Sequence, residues 1–113
     1  MRRLRSPITH PRNLKLAISV KAIRQGKNIL VAACDAELLG KTLKFGKIDF
    51  PVRREFYGGK ILTPEDALLE IRNGTTVNLL GEKIVGHVLK AGLVHPEAVL
   101  YVSGIPHALI VKI

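Results

Sequence analysis

The sequence is poor in cysteine, in aromatic residues and in long apolar runs, and each shortage excludes a class of protein. One cysteine, Cys34, allows no intramolecular disulfide and no multi-cysteine zinc or iron–sulfur site. Aromatic residues make up 4% of the chain, which is few for a protein that stacks several bases. No stretch approaches about 18 consecutive apolar residues, and the N-terminus lacks the apolar segment of a secretory signal. We therefore expect a soluble cytoplasmic protein.

Motifs for nucleotide phosphates and for metals are also absent. Neither GxxxxGK[ST] nor GxGxxG occurs. The four histidines, His10, His87, His95 and His107, share no metal-ligand spacing. Cys34 continues an apolar strand end, where a free cysteine usually packs as a small hydrophobe. The sequence therefore predicts no enzyme activity, no cofactor and no metal.

Apolar residues and basic residues are abundant. The chain has 113 residues, enough for one domain, and 47% of them are hydrophobic, enough for a core. Lysine and arginine total 18 against nine acidic residues, which gives a net charge of +9. Such an excess indicates a polyanionic partner, either a nucleic acid or an anionic membrane surface.

The positive charge is concentrated near the N-terminus. The first 27 residues hold eight basic residues and no acidic one, a net charge of +8. From Asn28 to the end, ten basic residues face nine acidic ones, a net charge of +1. Residues 1–13 contain two prolines and no helical or strand periodicity, and are predicted to form an extended basic tail before a domain over 14–113. The alternative is an ordinary charged terminus that is solvated and binds no partner.

The first half of the domain has the patterns of β-hairpins. Apolar and other residues alternate over 14–21, a polar turn with a glycine follows, and 29–33 is an apolar run. A second hairpin is predicted over 43–52. Between the two, Asp35 is expected to cap one helical turn that Gly40 closes in a left-handed conformation. Residues 56–59 are expected to form a bend that needs glycine.

The second half is predicted to hold two helices and two strands. Thr63 and Pro64 are typical of a helix start, and that helix should stop at 73–74. A second helix is predicted to begin after Thr75 or Thr76 and to stop at Gly92. Its apolar stripe is Val77, Leu80, Ile84, Val88 and Ala91. Strands are predicted over 99–102 and 108–113. The fold class is α+β, with hairpins in a mixed or antiparallel sheet packed by two helices.

Lys83, His87 and Lys90 are spaced at i, i+4 and i+7 on this second predicted helix, off its apolar stripe. One interpretation is an ordinary solvated helix face. The other is a short basic stripe that faces phosphates.

Four segments resemble a known family. They are VAACDAELLGK (31–41), REFYGGK (54–60), NLLGEKIVG (78–86) and GIPHALIV (104–111). In this order they resemble an archaeal domain-of-unknown-function family, number four hundred and twenty-four, and the resemblance covers 14–113. It implies RNA binding and a cytoplasmic archaeal protein, and it assigns no catalytic residue. Residues 1–13 depart from the family pattern. A compact body with such a tail resembles a ribosomal protein.

The first hypothesis is therefore an RNA-binding protein associated with the archaeal ribosome, whose partners are rRNA and neighbouring ribosomal proteins. Its predicted phosphate contacts are Arg2, Arg3, Arg5, Arg12, Lys15, Lys21, Arg24, Lys27, Lys83 and Lys90. Backbone charge and shape should then dominate over base reading.

Two alternatives stay open. One is an enzyme or small-ligand domain that uses Cys34, Asp35 and His107, with Glu55, Tyr57, Asn78 and Glu82 as further polar candidates. The other is a protein–protein interaction module in a translation-related complex. Binding to a membrane surface is least favoured, because the basic tail has no amphipathic apolar face.

Overall fold

The computed structural model describes residues 17–112, and eight strands and three α-helices lie in this range. In chain order they are β1 (Ile18–Gln25), β2 (Asn28–Asp35), β3 (Thr42–Phe45), β4 (Ile48–Pro51), α1 (Arg54–Tyr57), β5 (Lys60–Leu62), α2 (Pro64–Asn73), β6 (Thr76–Leu80), α3 (Glu82–Lys90), β7 (Leu100–Val102) and β8 (Ile105–Val111). Short 3₁₀ turns follow β2 and precede β7. No helix of 17–112 is long and apolar enough to cross a membrane.

Six strands form one mixed sheet in the order β5-β1-β2-β6-β8-β7. The β2–β6 pair is parallel and the other pairs are antiparallel. The parallel pair needs a long crossover, and the segment from β3 to α2 supplies it. The remaining strands, β3 and β4, form a separate hairpin.

The two faces of the sheet are covered by different layers. On one face, α2 and α3 pack over a core that includes Val31, Val77 and Leu79. On the other face, the β3–β4 hairpin and α1 cover a smaller core around Cys34, Leu80 and neighbouring apolar residues. Because side chains alternate along a strand, the odd and even positions of each central strand serve different layers.

The α+β prediction is confirmed, and so are its hairpins and first helix. The two-residue turn between β1 and β2 contains Gly26 with φ of +61°, as such turns require. Helix α2 begins where predicted, because the Thr63 Oγ1 accepts a hydrogen bond from the Asp66 backbone N–H at 3.2 Å. The strands predicted over 99–102 and 108–113 are β7 and β8, and β8 begins earlier, at Ile105.

The prediction of one helix across 77–91 is wrong in its first part. Residues 76–80 form strand β6, and the helix begins only at Glu82. Val77 and Leu79 face α2 and α3, whereas Leu80 faces the opposite core. A central strand is rich in apolar residues, and the apolar positions Val77 and Leu80 of β6 happen to continue the helical spacing of α3.

The cap assigned to Asp35 is also wrong. Its side chain makes no capping hydrogen bond to the 3₁₀ turn that follows it. Instead the carboxylate accepts hydrogen bonds from the Lys83 N–H at 2.9 Å and the Ile84 N–H at 3.0 Å. Asp35 therefore caps α3, 48 residues away in the chain. Gly40 does adopt the predicted positive φ, +82°.

The glycines of 56–59 serve a different purpose from the one predicted. Residues 54–57 form the short helix α1, and Gly58 has an ordinary negative φ. A Cβ on Gly59 would lie 2.1 Å from the Val20 carbonyl oxygen. Glycine is needed there because the chain passes directly against β1, and not because the backbone is left-handed.

Candidate functional site

The layer formed by β3, β4 and α1 covers only part of its face of the sheet. The strand register places four side chains in one row across the uncovered part, namely Ile23, Leu30, Thr76 and Val111. The next row contains Lys21, Ala32, Asn78 and Leu109. We call these two rows the open face. Its exposed apolar side chains are Ile23 at 40%, Leu109 at 51% and Val111 at 58%, whereas Ala32 is buried at 2%.

A cavity of about 400 Å³ lies where the open face meets the covering layer. The sheet contributes Asn78 from β6 and His107 from β8. The covering layer contributes the other lining residues, which are Phe50, Pro51, Arg53, Phe56 and Tyr57. Its volume is near the lower end of the roughly 300–1,000 Å³ of small-ligand clefts.

Two polar side chains of the sheet line this cavity. Asn78 is half-buried, and its amide makes no hydrogen bond to another residue of 17–112. The His107 ring likewise has no hydrogen-bond partner among these residues, and it contacts Phe50 edge to face at a centroid distance of 6.1 Å. Burial lowers the pKa of His107, so its ring is neutral near pH 7. Both side chains thus offer one donor side and one acceptor side to a ligand.

The wall formed by α1 is fixed to the sheet by Ser19. The Ser19 Oγ donates to the Tyr57 carbonyl at 2.8 Å and accepts from the Gly59 N–H at 3.1 Å. Tyr57 is buried, and burial together with the nearby Cys34 raises the pKa of its hydroxyl to about 12. The Phe56 ring packs against Tyr57 at 87° and stays 38% exposed. The cavity therefore has a rigid aromatic wall with one accessible ring.

Charge differs between the two layers that cover the sheet. Residues 40–58, on the side of the cavity, hold five basic and two acidic residues, a net charge of +3. Residues 63–90, which include α2 and α3, hold three basic and four acidic residues, a net charge of −1. Lys21 adds a further positive charge to the open face, where its Nζ donates to the Glu55 carbonyl. Of these two segments, residues 40–58 are the more favourable surface for a polyanion.

The predicted basic contacts fall into separate groups. Lys21 lies on the open face, Arg24 lies on the opposite face of β1, and Lys27 lies in the β1–β2 turn. Both Arg24 and Lys27 are exposed. The five N-terminal contacts lie outside the described residues, namely Arg2, Arg3, Arg5, Arg12 and Lys15.

The predicted basic stripe on α3 is partly neutralised. The Lys83 Nζ lies 3.8 Å from a Glu37 carboxylate oxygen, and the His87 Nε2 lies 3.9 Å from one of Glu65. Lys90 is exposed. Two of the three positions therefore face carboxylates, which disfavours this helix face as a phosphate contact.

The structure does not bring Cys34, Asp35 and His107 into one pocket. Leu80 of β6 pairs with Cys34 on one neighbouring strand and with His107 on the other. The backbones at Cys34 and His107 are therefore separated by two strand spacings, about 9–10 Å. Cys34 has no exposed surface, and burial followed by the charge of Asp35 raises the pKa of its thiol to about 12. Asp35 is occupied with capping α3. Residues 17–112 contain no group of three side chains suited to a metal.

Sequence reasoning did not assign Arg53, Phe50 or Phe56 to any site. Asn78 was named only among the polar candidates of the enzyme alternative. The sequence does contain a feature that could have identified Asn78 as a site residue, because Asn78 is the one polar residue in the run from Val77 to Leu80. A polar residue within a central strand is costly to the fold and therefore indicates a function.

Comparison with known proteins gives the family and one similar structure. No curated protein matches the chain. A crystal structure of an uncharacterized conserved protein from Methanopyrus kandleri is similar, with 29% sequence identity and a TM-score of 0.72. The match covers 86% of this chain and 94% of that one. The family model described as "Protein of unknown function (DUF424)" matches residues 23–113. This range is shorter than the resemblance over 14–113, and it includes every residue that lines the cavity. Because the family model matches most of the chain, the chain belongs to the DUF424 family.

Proposed function

We propose that this protein binds RNA in the cytoplasm as a component of the archaeal ribosome, where it contacts rRNA and neighbouring ribosomal proteins. The observation that carries the proposal is the separation of charge. The first 27 residues have a net charge of +8, and residues 40–58 beside the cavity are more basic than residues 63–90. Phosphate neutralisation by such a surface supplies affinity without requiring base contacts.

The proposal is one of binding without catalysis. The only thiol, Cys34, is buried with a raised pKa, and His107, the histidine of the family segments, lies two strands away. The buried carboxylate, Asp35, is used to cap a helix. These features support structural roles for the residues of the enzyme alternative.

The surroundings of each basic side chain decide how well it can contact a phosphate. Arg24 and Lys27 are exposed in the β1–β2 hairpin, and Arg53 is exposed at the rim of the cavity. Lys83 is less favoured, because it faces Glu37. The N-terminal contacts remain part of the proposal, since the five basic residues of 1–16 have no acidic neighbour in sequence.

Salt dependence of binding tests this proposal. If about six basic residues engage phosphates, a plot of log affinity against log salt should have a slope of about −4 to −5. Replacing Lys27 by alanine should reduce the slope by about 1. Arg72→Ala is a matched control, since Arg72 is an exposed cation on the helical side and should leave the slope unchanged. Binding that is independent of salt would contradict the proposal.

Sedimentation tests the ribosomal assignment separately. A lysate is run through a high-salt gradient, and the protein is expected to stay with a ribosomal subunit. A variant without residues 1–12 should shift toward the top of the gradient, because it loses four arginines. A wild-type protein that never sediments with a subunit would refute the ribosomal assignment and leave RNA binding to be judged by the salt titration.

The exposed apolar side chains favour protein contacts as a second function. Leu109 and Val111 on the open face, and Leu100 on β7, are each more than half exposed. Contiguous exposed apolar surface is typical of protein interaction sites. Leu109→Ser should weaken retention on the subunit, and Leu69→Ser, an exposed leucine on α2, is the control. Equal retention of both variants would remove this second candidate.

A further inference from the structure

We infer that the cavity between β4, α1 and the sheet holds one unstacked base of a bound RNA strand; this inference rests on the proposed function. Four groups support it, namely the Asn78 amide, the His107 ring, the Phe56 ring and the Arg53 guanidinium. Together they match the three parts of a nucleotide that a protein recognises, which are the base edge, the base face and the phosphate.

The floor of the cavity suits the edge of a base. The Asn78 amide and the His107 ring stand on neighbouring strands, and neither has a hydrogen-bond partner among residues 17–112. A primary amide pairs with a base edge through two hydrogen bonds, one donated and one accepted. The neighbour of Asn78 on β2 is Ala32, which is buried in the core under the covering layer, so the amide lies at the edge of that layer.

The wall of the cavity suits the face of a base. Phe56 is 38% exposed and is held by its edge-to-face contact with the buried Tyr57, at a centroid distance of 4.8 Å. Stacking on an exposed aromatic ring stabilises a bound base whatever its identity. Among the aromatic rings that line the cavity, Phe56 is the exposed one, so the cavity offers a stacking place for one base.

The rim of the cavity suits a phosphate. Arg53 lines the cavity and is exposed, and it precedes α1 directly. A guanidinium at the rim can reach the backbone of a strand whose base is inserted. Residues 40–58 carry a net charge of +3, so the strand would continue over a favourable surface.

The cavity groups that would contact the edge and the face of a base also disfavour binding of double-stranded RNA. A base in a double helix is stacked and paired, and its edge and faces are not available to a cavity. We therefore expect the protein to prefer a single strand over the same RNA annealed to its complement. Loss of the Asn78 contacts should lower affinity for the single strand by about 5- to 150-fold.

The test is a fluorescence anisotropy titration of the full-length protein with a labelled single-stranded RNA of mixed sequence, repeated with its duplex. Asn78→Ala is compared with Thr76→Ala, which lies on the same strand and face outside the cavity. Phe56→Ala, at an exposed position, is a second variant that does not depend on the fold tolerating a change at Asn78. We expect Asn78→Ala and Phe56→Ala to bind the single strand more weakly with an unchanged salt slope, and Thr76→Ala to bind as wild type.

Other outcomes separate the two proposals. If wild type and both cavity variants bind single strand and duplex equally, with the steep salt slope retained, the cavity inference is wrong and RNA binding stands. If wild type binds neither RNA at about 50 mM salt, RNA binding itself is wrong. A mixture of the four nucleoside monophosphates serves as a competitor. If it displaces the RNA fully at equal nucleotide concentration, the cavity binds a free nucleotide, and the inference is overturned.

Discussion

Asp35 provides the sharpest test of how this fold is held together. Its carboxylate is 2% exposed and joins the end of β2 to the start of α3 through the Lys83 and Ile84 backbone N–H groups. Asp35→Ala leaves both of these donors without the acceptor. The same change removes the negative charge that favours the positive end of the helix dipole.

The magnitude follows from the two orphaned donors. A buried donor without a partner costs about 1–3 kcal/mol. The Ile84 N–H is buried and should pay this penalty, whereas the Lys83 N–H is part-buried and can recover some of it from water. Burial of the carboxylate, which raises the pKa of Asp35, is a cost that the variant no longer bears. We therefore expect Asp35→Ala to lower the free energy of unfolding by about 2–4 kcal/mol.

Urea unfolding followed by circular dichroism measures this effect. Asp66→Ala is the matched control, because Asp66 is an exposed acidic residue in the first turn of α2 and its backbone N–H is already bound by Thr63. It should lose only a helix-dipole interaction of about 0.3–1 kcal/mol. If Asp35→Ala costs no more than Asp66→Ala, the interpretation of Asp35 as a structural clamp is refuted.

Three further predictions concern single positions near the sheet. Gly81→Ala should cost about 3 kcal/mol or more in urea unfolding, because φ is +127° and a Cβ would lie 2.3 Å from the Asp35 Cγ. Gly86 lies inside α3, where a Cβ would meet no such neighbour, so Gly86→Ala should stabilise by about 0.5–1 kcal/mol. Equal effects would contradict this. The lowered pKa of His107 means that the unfolded chain binds its proton more readily, so stability should fall as the pH drops below 6.5, and His107→Gln should flatten that dependence. Cys34, with a pKa raised to about 12, should react with a thiol reagent only after unfolding; rapid labelling of the native protein would show that the thiol is accessible.

Elements whose signals are local were predictable from the sequence. The β1–β2 hairpin is specified by alternation and a glycine turn, and α2 by the Thr63 cap and the following proline. In each case the residues that decide the structure are within a few positions of one another. The boundaries of α2 are close to those predicted, whereas β1 extends to Gln25, four residues beyond the alternating pattern, and residues 14–16 of that pattern lie outside the described residues.

Elements that depend on distant partners were not predictable in the same way. Strand β6 pairs in parallel with β2, and its side chains Val77, Leu79 and Leu80 are buried by partners from both layers. Nothing within the segment itself distinguishes such a strand from the first turn of a helix, since both appear as an apolar run. The role of Asp35 was missed for the same reason, because its hydrogen-bond donors are 48 and 49 positions away.

The candidate site was predictable only in its electrostatic part. The basic N-terminal segment is apparent in a count of charges, whereas the cavity is assembled from residues 50–57, Asn78 and His107. These residues are far apart in the chain and converge through the sheet order. Asn78 alone carried a local signal, as a polar residue among buried apolar ones.

Under the proposed function, the two parts of the site should make separable contributions to RNA binding. Contacts to phosphates position and attract a strand, whereas contacts to bases discriminate. The family match begins at Ile23. Six of the eight basic residues up to Lys27 precede Ile23, whereas every residue that lines the cavity lies within the matched range. Deleting residues 1–12 should therefore weaken binding and flatten the salt slope while the preference for a single strand persists. Asn78→Ala should weaken binding to the single strand and reduce that preference while the salt slope stays unchanged. A deletion that abolishes the strand preference would show that both properties belong to the N-terminal segment, and the cavity would then have no part in recognition.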